Sequence, residues 1–158
     1  MKIRVTRTTD VELVRSIVSE PESFAIRAED GVTVDDVMVV INPLIYWLLL
    51  ISEEAGKEPE VRGVAVGTPL TRTVADFHIV IRPQYWRSGA NVKLAELAAK
   101  YLLKYSGAEK IVSTVPEPAQ PVIRFLQRAG FKREGINRAS FRKNGQLVDQ
   151  VYLGYTGE

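Results

Sequence analysis

The stretch from Val74 to Tyr105, VADFHIVIRPQYWRSGANVKLAELAAKYLLKY, leaves a chain few ways to fold. Val74 to Ile81 is rich in β-branched and aromatic residues, and its polar members Asp76 and His78 share one face at period two. Pro83 stops this strand, because a proline nitrogen cannot donate to a ladder. A helix opens at Asn91 or a neighbour, with Leu94, Leu97, Ala98, Tyr101 and Tyr105 at helical spacing. On its polar side Glu96 precedes Lys100 by one turn, the favourable order for an ion pair. Ser106-Gly107 ends the helix, glycine supplying a left-handed cap. The connection Arg87-Ser88-Gly89-Ala90-Asn91 thus presents small residues and backbone N–H groups at a helix N-terminus, an arrangement that accepts a phosphate.

Around this unit the other elements fall into place. Lys2 to Thr6 alternates as a strand, Thr9 to Glu12 has capping-box spacing, and Leu13, Val14, Ile17 and Val18 mark one helical face. Glu22 to Glu29 reads as a second short helix, and Val34 to Leu44 as irregular. Ile45 to Ser52 is an apolar run of strand length, expected to be buried on both faces. It pairs in a hairpin with Val61 to Val66, which Gly67-Thr68-Pro69 is expected to break. Lys110 to Val115 is a further strand, and a helix with Pro121 in its first turn runs to Gly130. A last hairpin from Phe131 to Tyr155 turns at Asn144-Gly145, a strong two-residue turn signal. The order β-α-α-β-β-β-α-β-α-β-β predicts an α/β (α+β) fold, a mixed sheet of about seven strands with helices on both faces.

Bulk properties exclude several functions. The chain has no cysteine and a single histidine, so neither a disulfide framework nor a transition-metal site is expected. The opening MKIRVTRTTD lacks the apolar core of a signal peptide, and the longest apolar run, Ile45 to Ile51, is too short to cross a bilayer. Twenty-one basic against 19 acidic residues leave a net charge of +2, too balanced for a nucleic-acid face.

Phe125 to Gly135, FLQRAGFKREG, followed by Arg138, Gly145, Asp149 and Tyr152, resembles the last helix and hairpin of the GNAT superfamily of acyl-CoA-dependent N-acetyltransferases. The spacing of Glu134-Gly135, Arg138 and Gly145 to Asp149 is most similar to the branch that acetylates protein N-termini and to small acetyltransferase-like proteins of tailed phages; His78 also matches the phage-type group. The resemblance implies one domain over residues 1–158, acetyl-CoA as acyl donor, and an amine-bearing protein or small molecule as acceptor. It implies a cytoplasmic setting, that of a phage-infected host or a virion included, and admits a homodimer or an assembly partner. A catalytically silent member used for binding or assembly is the alternative.

On the same resemblance, the coenzyme lies against the backbone of Ile79 and Ile81 and the loop of Arg87, Ser88, Gly89, Ala90, Asn91 and Val92. The family's turn reads Arg/Gln-x-x-Gly-x-Gly/Ala; Trp86, Gly89 and Asn91 stand there, so only the middle glycine is kept. A backbone N–H at a strand bulge, around Val80 and Ile81, is expected to polarise the thioester carbonyl. The family's helix-start asparagine falls on Ala119, and the tyrosine that often protonates the leaving thiolate falls on Leu126. Ser113, Thr114 and Tyr85 remain as candidate acids. An alkyl ammonium must lose a proton before it attacks, and His78, with an unperturbed pKa of about 6.5, suits that step. Asp76 is placed to orient its imidazole or to assist a water.

Overall fold

The computed structural model describes every residue from Met1 to Glu158. Strands β1 (Lys2–Arg7), β2 (Tyr46–Glu53), β3 (Glu60–Pro69), β4 (Val74–Ile81), β5 (Lys110–Pro116), β6 (Lys132–Lys143) and β7 (Gln146–Tyr155) form one sheet in the order β1-β2-β3-β4-β5-β7-β6. Helices α1 (Val11–Val18) and α2 (Pro21–Arg27) follow β1, α3 (Ala90–Tyr105) joins β4 to β5, and α4 (Gln120–Arg128) joins β5 to β6. The element order is the one the sequence predicts.

Each face of the sheet has its own core. Leu48, Leu50, Ala65, Phe77 and Ile111 pack beneath α3 and α4, while Trp47, Val64 and Val80 pack beneath α1 through Val14, Ile17 and Val18. The run expected to be covered on both sides is buried from Trp47 through Ser52. The opposite sides of β4 therefore meet different layers: Ala75 and Phe77 face α3, and Asp76, His78 and Val80 face the α1 side.

Four local expectations are corrected. The first cap is Asp10, not Thr9: its Oδ1 accepts the Leu13 N–H at 3.1 Å, while Thr8 Oγ1 accepts the Asp10 N–H. Val34 to Asp36 forms a single 3₁₀ turn, with Asp36 Oδ2 accepting the Thr33 N–H at 2.8 Å. Gly67 does not break β3, which pairs with β2 through Gly67 and stays in register with β4 as far as Pro69. There the missing Cβ makes room for Leu102, whose Cδ2 would lie 2.5 Å from it, so the glycine serves helix-to-sheet packing. The bulge expected in β4 near Val80 and Ile81 lies instead in β3, where Arg62 is the extra residue opposite Leu50 and Ile51; β4 keeps an unbroken register with β3.

Candidate active site

The only parallel pairing in the sheet is between β4 and β5, and it stops after Val74–Lys110, Ala75–Ile111 and Asp76–Val112. Beyond those rungs β5 stays with β7, from Ile111–Tyr155 to Pro116–Gln150, while β4 stays with β3 up to Ile81–Gly63. The strands therefore part, leaving a slot beside Phe77 to Ile81.

The peptide groups facing this slot follow from the β3 ladder. The Arg82 N–H donates to the Arg62 carbonyl at 2.8 Å, and the Leu70 N–H to the Val74 carbonyl at 2.9 Å. Antiparallel alternation then points the N–H and C=O groups of Val74, Asp76, His78 and Val80 at β3, and those of Ile79 and Ile81 into the slot. No strand answers Ile79 or Ile81 there. One of the four groups is taken: Trp86 Nε1 donates to the Ile81 carbonyl at 2.8 Å.

At the C-terminal end of β4 a 3₁₀ turn over Pro83–Tyr85 leads into α3, which opens at Ala90, beside Asn91 as expected, with Gly89 as its N-cap. Only some of the loop N–H groups expected to be free are so. Ser88 donates to the Tyr85 carbonyl, Ala90 to Ser88 Oγ and Asn91 to the Ser88 carbonyl, because the tight turn satisfies its own donors. The N–H groups of Arg87, Gly89 and Val92 have no partner within the chain. The Asn91 side chain is buried, donating to the Tyr85 carbonyl at 2.8 Å, so it does not obstruct the outer face of the loop. Gly89 has φ −64°, open to any residue, and a Cβ there would meet nothing within 4 Å. Unpaired donors, a helix N-terminus and an unfilled approach at Gly89 together fit a pyrophosphate. Asn91 Oδ1 and Arg62 Nη1 are the buried side-chain polar atoms left unpartnered, and both belong to residues that touch Tyr85.

On the α1 side of β4, His78 Nε2 lies 2.8 Å from Asp76 Oδ2, with the imidazole about half exposed. Farther along the strand Arg82 Nε meets Glu20 Oε1 at 2.8 Å, tying the α1–α2 junction to the end of β4. Sequence reasoning missed this pair, whose members are 62 residues apart. It also missed a clasp between the segment after α2 and the last hairpin. Asp30 accepts the N–H groups of Asn144 and Gly145 at 3.0 and 2.8 Å, and Glu29 Oε2 accepts that of Arg142 at 2.7 Å. Both backbone bonds hold the Asp30 carboxyl below the usual carboxylate range, with smaller help from Lys143 and Arg142.

The candidate acids are differently placed. Ser113 is buried on the α3–α4 side with Ile111 and Val115, and Tyr85 lies against the Arg62 guanidinium. Thr114 is half-buried on the opposite face, across from Tyr152. Leu126 is fully buried. A cavity of about 80 Å³, lined by Tyr46, Gly67, Leu102 and Ser106 among others, lies at the other end of the sheet and takes no part in this site.

Solved structures share this architecture. Spermidine N-acetyltransferase from Vibrio cholerae, in complex with CoA and spermine, superposes with a TM-score of 0.75 at 16% identity, over 97% of this chain and 94% of that one. GNAT-family acetyltransferases from Streptococcus pneumoniae (TM-score 0.70, 20% identity, 98% and 99% covered) and Bacillus anthracis (0.72, 18%, 99% and 95%) are similarly close. At these identities the likeness is one of fold. No curated protein matches the chain in sequence. The model of the acetyltransferase (GNAT) family, however, matches residues 15–131, most of the chain and all of the slot and loop, and the chain belongs to that family.

Proposed function

We propose that this protein transfers an acetyl group from acetyl-CoA to an amine of a protein or small molecule. The observation that carries this reading is the parting of β4 from β5 after Asp76, which turns the Ile79 and Ile81 peptide groups into an open slot leading to the Gly89 loop. A pantetheine arm, with its two amides, suits those groups, and the unpaired N–H groups of Arg87, Gly89 and Val92 suit the pyrophosphate. Acetyl-CoA supplies an acyl group activated as a thioester, whose transfer to nitrogen forms a C–N bond and breaks a C–S bond.

The chain's own groups handle the protons. With its Nε2–H donated to Asp76, a neutral His78 keeps the Nδ1 lone pair free to take the proton the amine must lose. Asp76 holds the ring and stabilises the imidazolium that results. The slot-facing N–H groups of Ile79 and Ile81 are the donors available to a developing oxyanion, now without a bulge in β4. Leu126 has no proton to give, so the thiolate takes its proton from solvent in the open slot.

The acceptor reaches the site from the α1 side, the face of β4 that carries His78 and Asp76. A fold used for binding or assembly alone is the reading favoured by Leu126 and by Trp86 on the Ile81 carbonyl. Isothermal titration with acetyl-CoA, followed by thiol release in the presence of a panel of amines, separates the two. Transfer requires saturable binding and amine-dependent thiol release; binding without release on any amine leaves the silent reading.

A further inference from the structure

We propose that Trp86 sets the affinity of this protein for its acyl coenzyme, by holding with its indole N–H a backbone acceptor that the pantetheine arm needs. The inference rests on the acyl-CoA reading of the slot. The peptide group between Ile81 and Arg82 fixes the geometry. Its N–H points at β3 and donates to the Arg62 carbonyl at 2.8 Å, so its carbonyl points the other way, into the slot. β5 has already turned away at Asp76–Val112, and no strand can serve that carbonyl. Trp86 Nε1 does so at 2.8 Å.

A ring whose nitrogen stands 2.8 Å from a slot-facing oxygen also occupies the approach to it. An amide laid along β4 must therefore displace the indole before it can use Ile81, whereas both groups of Ile79 are open to it. Displacement is permitted by the surroundings. Trp86 is 43% exposed, and the backbone holds it only through its own N–H on the Pro83 carbonyl at 3.2 Å. The other tryptophan differs: Trp47 is buried beneath α1, with its indole N–H on the Val40 carbonyl at 2.9 Å. The coenzyme thus exchanges one hydrogen bond for another at Ile81 and gains none there, while the loop N–H groups that face the nucleotide end are unaffected.

The test uses the full chain, with coenzyme A and adenosine 3′,5′-diphosphate as probes. Trp86→Phe keeps an aromatic ring and removes the N–H; Trp86→Ala removes both. Titration calorimetry should show coenzyme A binding Trp86→Phe about 2- to 10-fold more tightly than the parent, the worth of one hydrogen bond no longer lost. Trp86→Ala should bind at least as tightly, and adenosine 3′,5′-diphosphate should bind all three proteins alike. Coenzyme A should shift the tryptophan emission of the parent and leave that of Trp86→Phe, which reports Trp47 alone, unchanged. Equal or weaker coenzyme A binding by Trp86→Phe overturns the proposal and leaves the slot reading standing. Absence of coenzyme A binding in all three proteins overturns both.

Discussion

An alanine methyl at position 63 would stand 2.2 Å from the carbonyl oxygen of Val80, across the β3–β4 ladder. No rotamer relieves a clash between backbone atoms, so Gly63→Ala must push the two strands apart beside the slot. We expect a loss of about 1–3 kcal/mol, the usual cost of overpacking, read as a lowered urea midpoint. Gly89→Ala, with nothing within 4 Å and an ordinary φ, should leave the midpoint unchanged. Gly67→Ala should fall between them, since a side chain, Leu102, has to yield.

Substitution of His78 separates chemistry from scaffolding. His78→Ala should leave acetyl-CoA affinity nearly unchanged and lower turnover by about 10²- to 10⁴-fold, the usual contribution of a positioned base. The acid limb of the activity profile should vanish with the imidazole, while Asp76→Asn should keep that limb and lower turnover less. The side chain is 55% exposed, so the melting temperature should move little. A large fall in melting temperature, with turnover keeping its pH dependence, would assign His78 a structural role.

Binding at the loop can be tested without turnover. Gly89→Asp places a carboxylate in the open approach and should abolish coenzyme binding by filling it and by charge repulsion. Arg87→Ala should weaken binding more at low salt than at high salt, because screening already removes part of the attraction of this exposed guanidinium. Identical titration curves for the parent and both variants would make the loop purely structural.

The Asp30 clasp has a pH signature. Two backbone N–H groups lower its folded-state pKa, so its stabilising contribution is present above the unfolded carboxylate pKa of about 3.9. That contribution is lost as the pH falls through the lowered folded value. Asp30→Asn should therefore reduce thermal stability at neutral pH and flatten the parent's decline in the acid range, measured by melting temperature between pH 6 and pH 2. Parallel melting curves for parent and variant over that range would show that the clasp contributes nothing.

The alternation of Val74 to Ile81, the solid apolar run into Ser52 and the Asn144-Gly145 turn, both residues of which have positive φ, are local signals, and they carried the order of elements. Gly67 misled because glycine beside proline looks like a break, when its lack of a side chain answers Leu102, distant in sequence. The slot was legible only through family resemblance, since strand parting depends on β5 preferring β7. Trp86 was visible as a departure from the family's turn, but its bond to Ile81 depends on how the loop folds back. The Glu20–Arg82 pair and the Asp30 clasp join residues too far apart for any periodicity to announce them.

Three rungs join β1–β4 to β5–β7, and they lie at one end of β4. The sheet is in effect two stiff leaves on a short spine, with Asp30 and Glu29 as a clasp on the far side. Beyond those rungs the two halves are held by the core they share beneath α3 and α4, where Phe77 of one half meets Phe131 of the other at 5.5 Å between ring centroids. A ligand that spans the slot would therefore add a tie between two halves that the sheet itself joins only at one end.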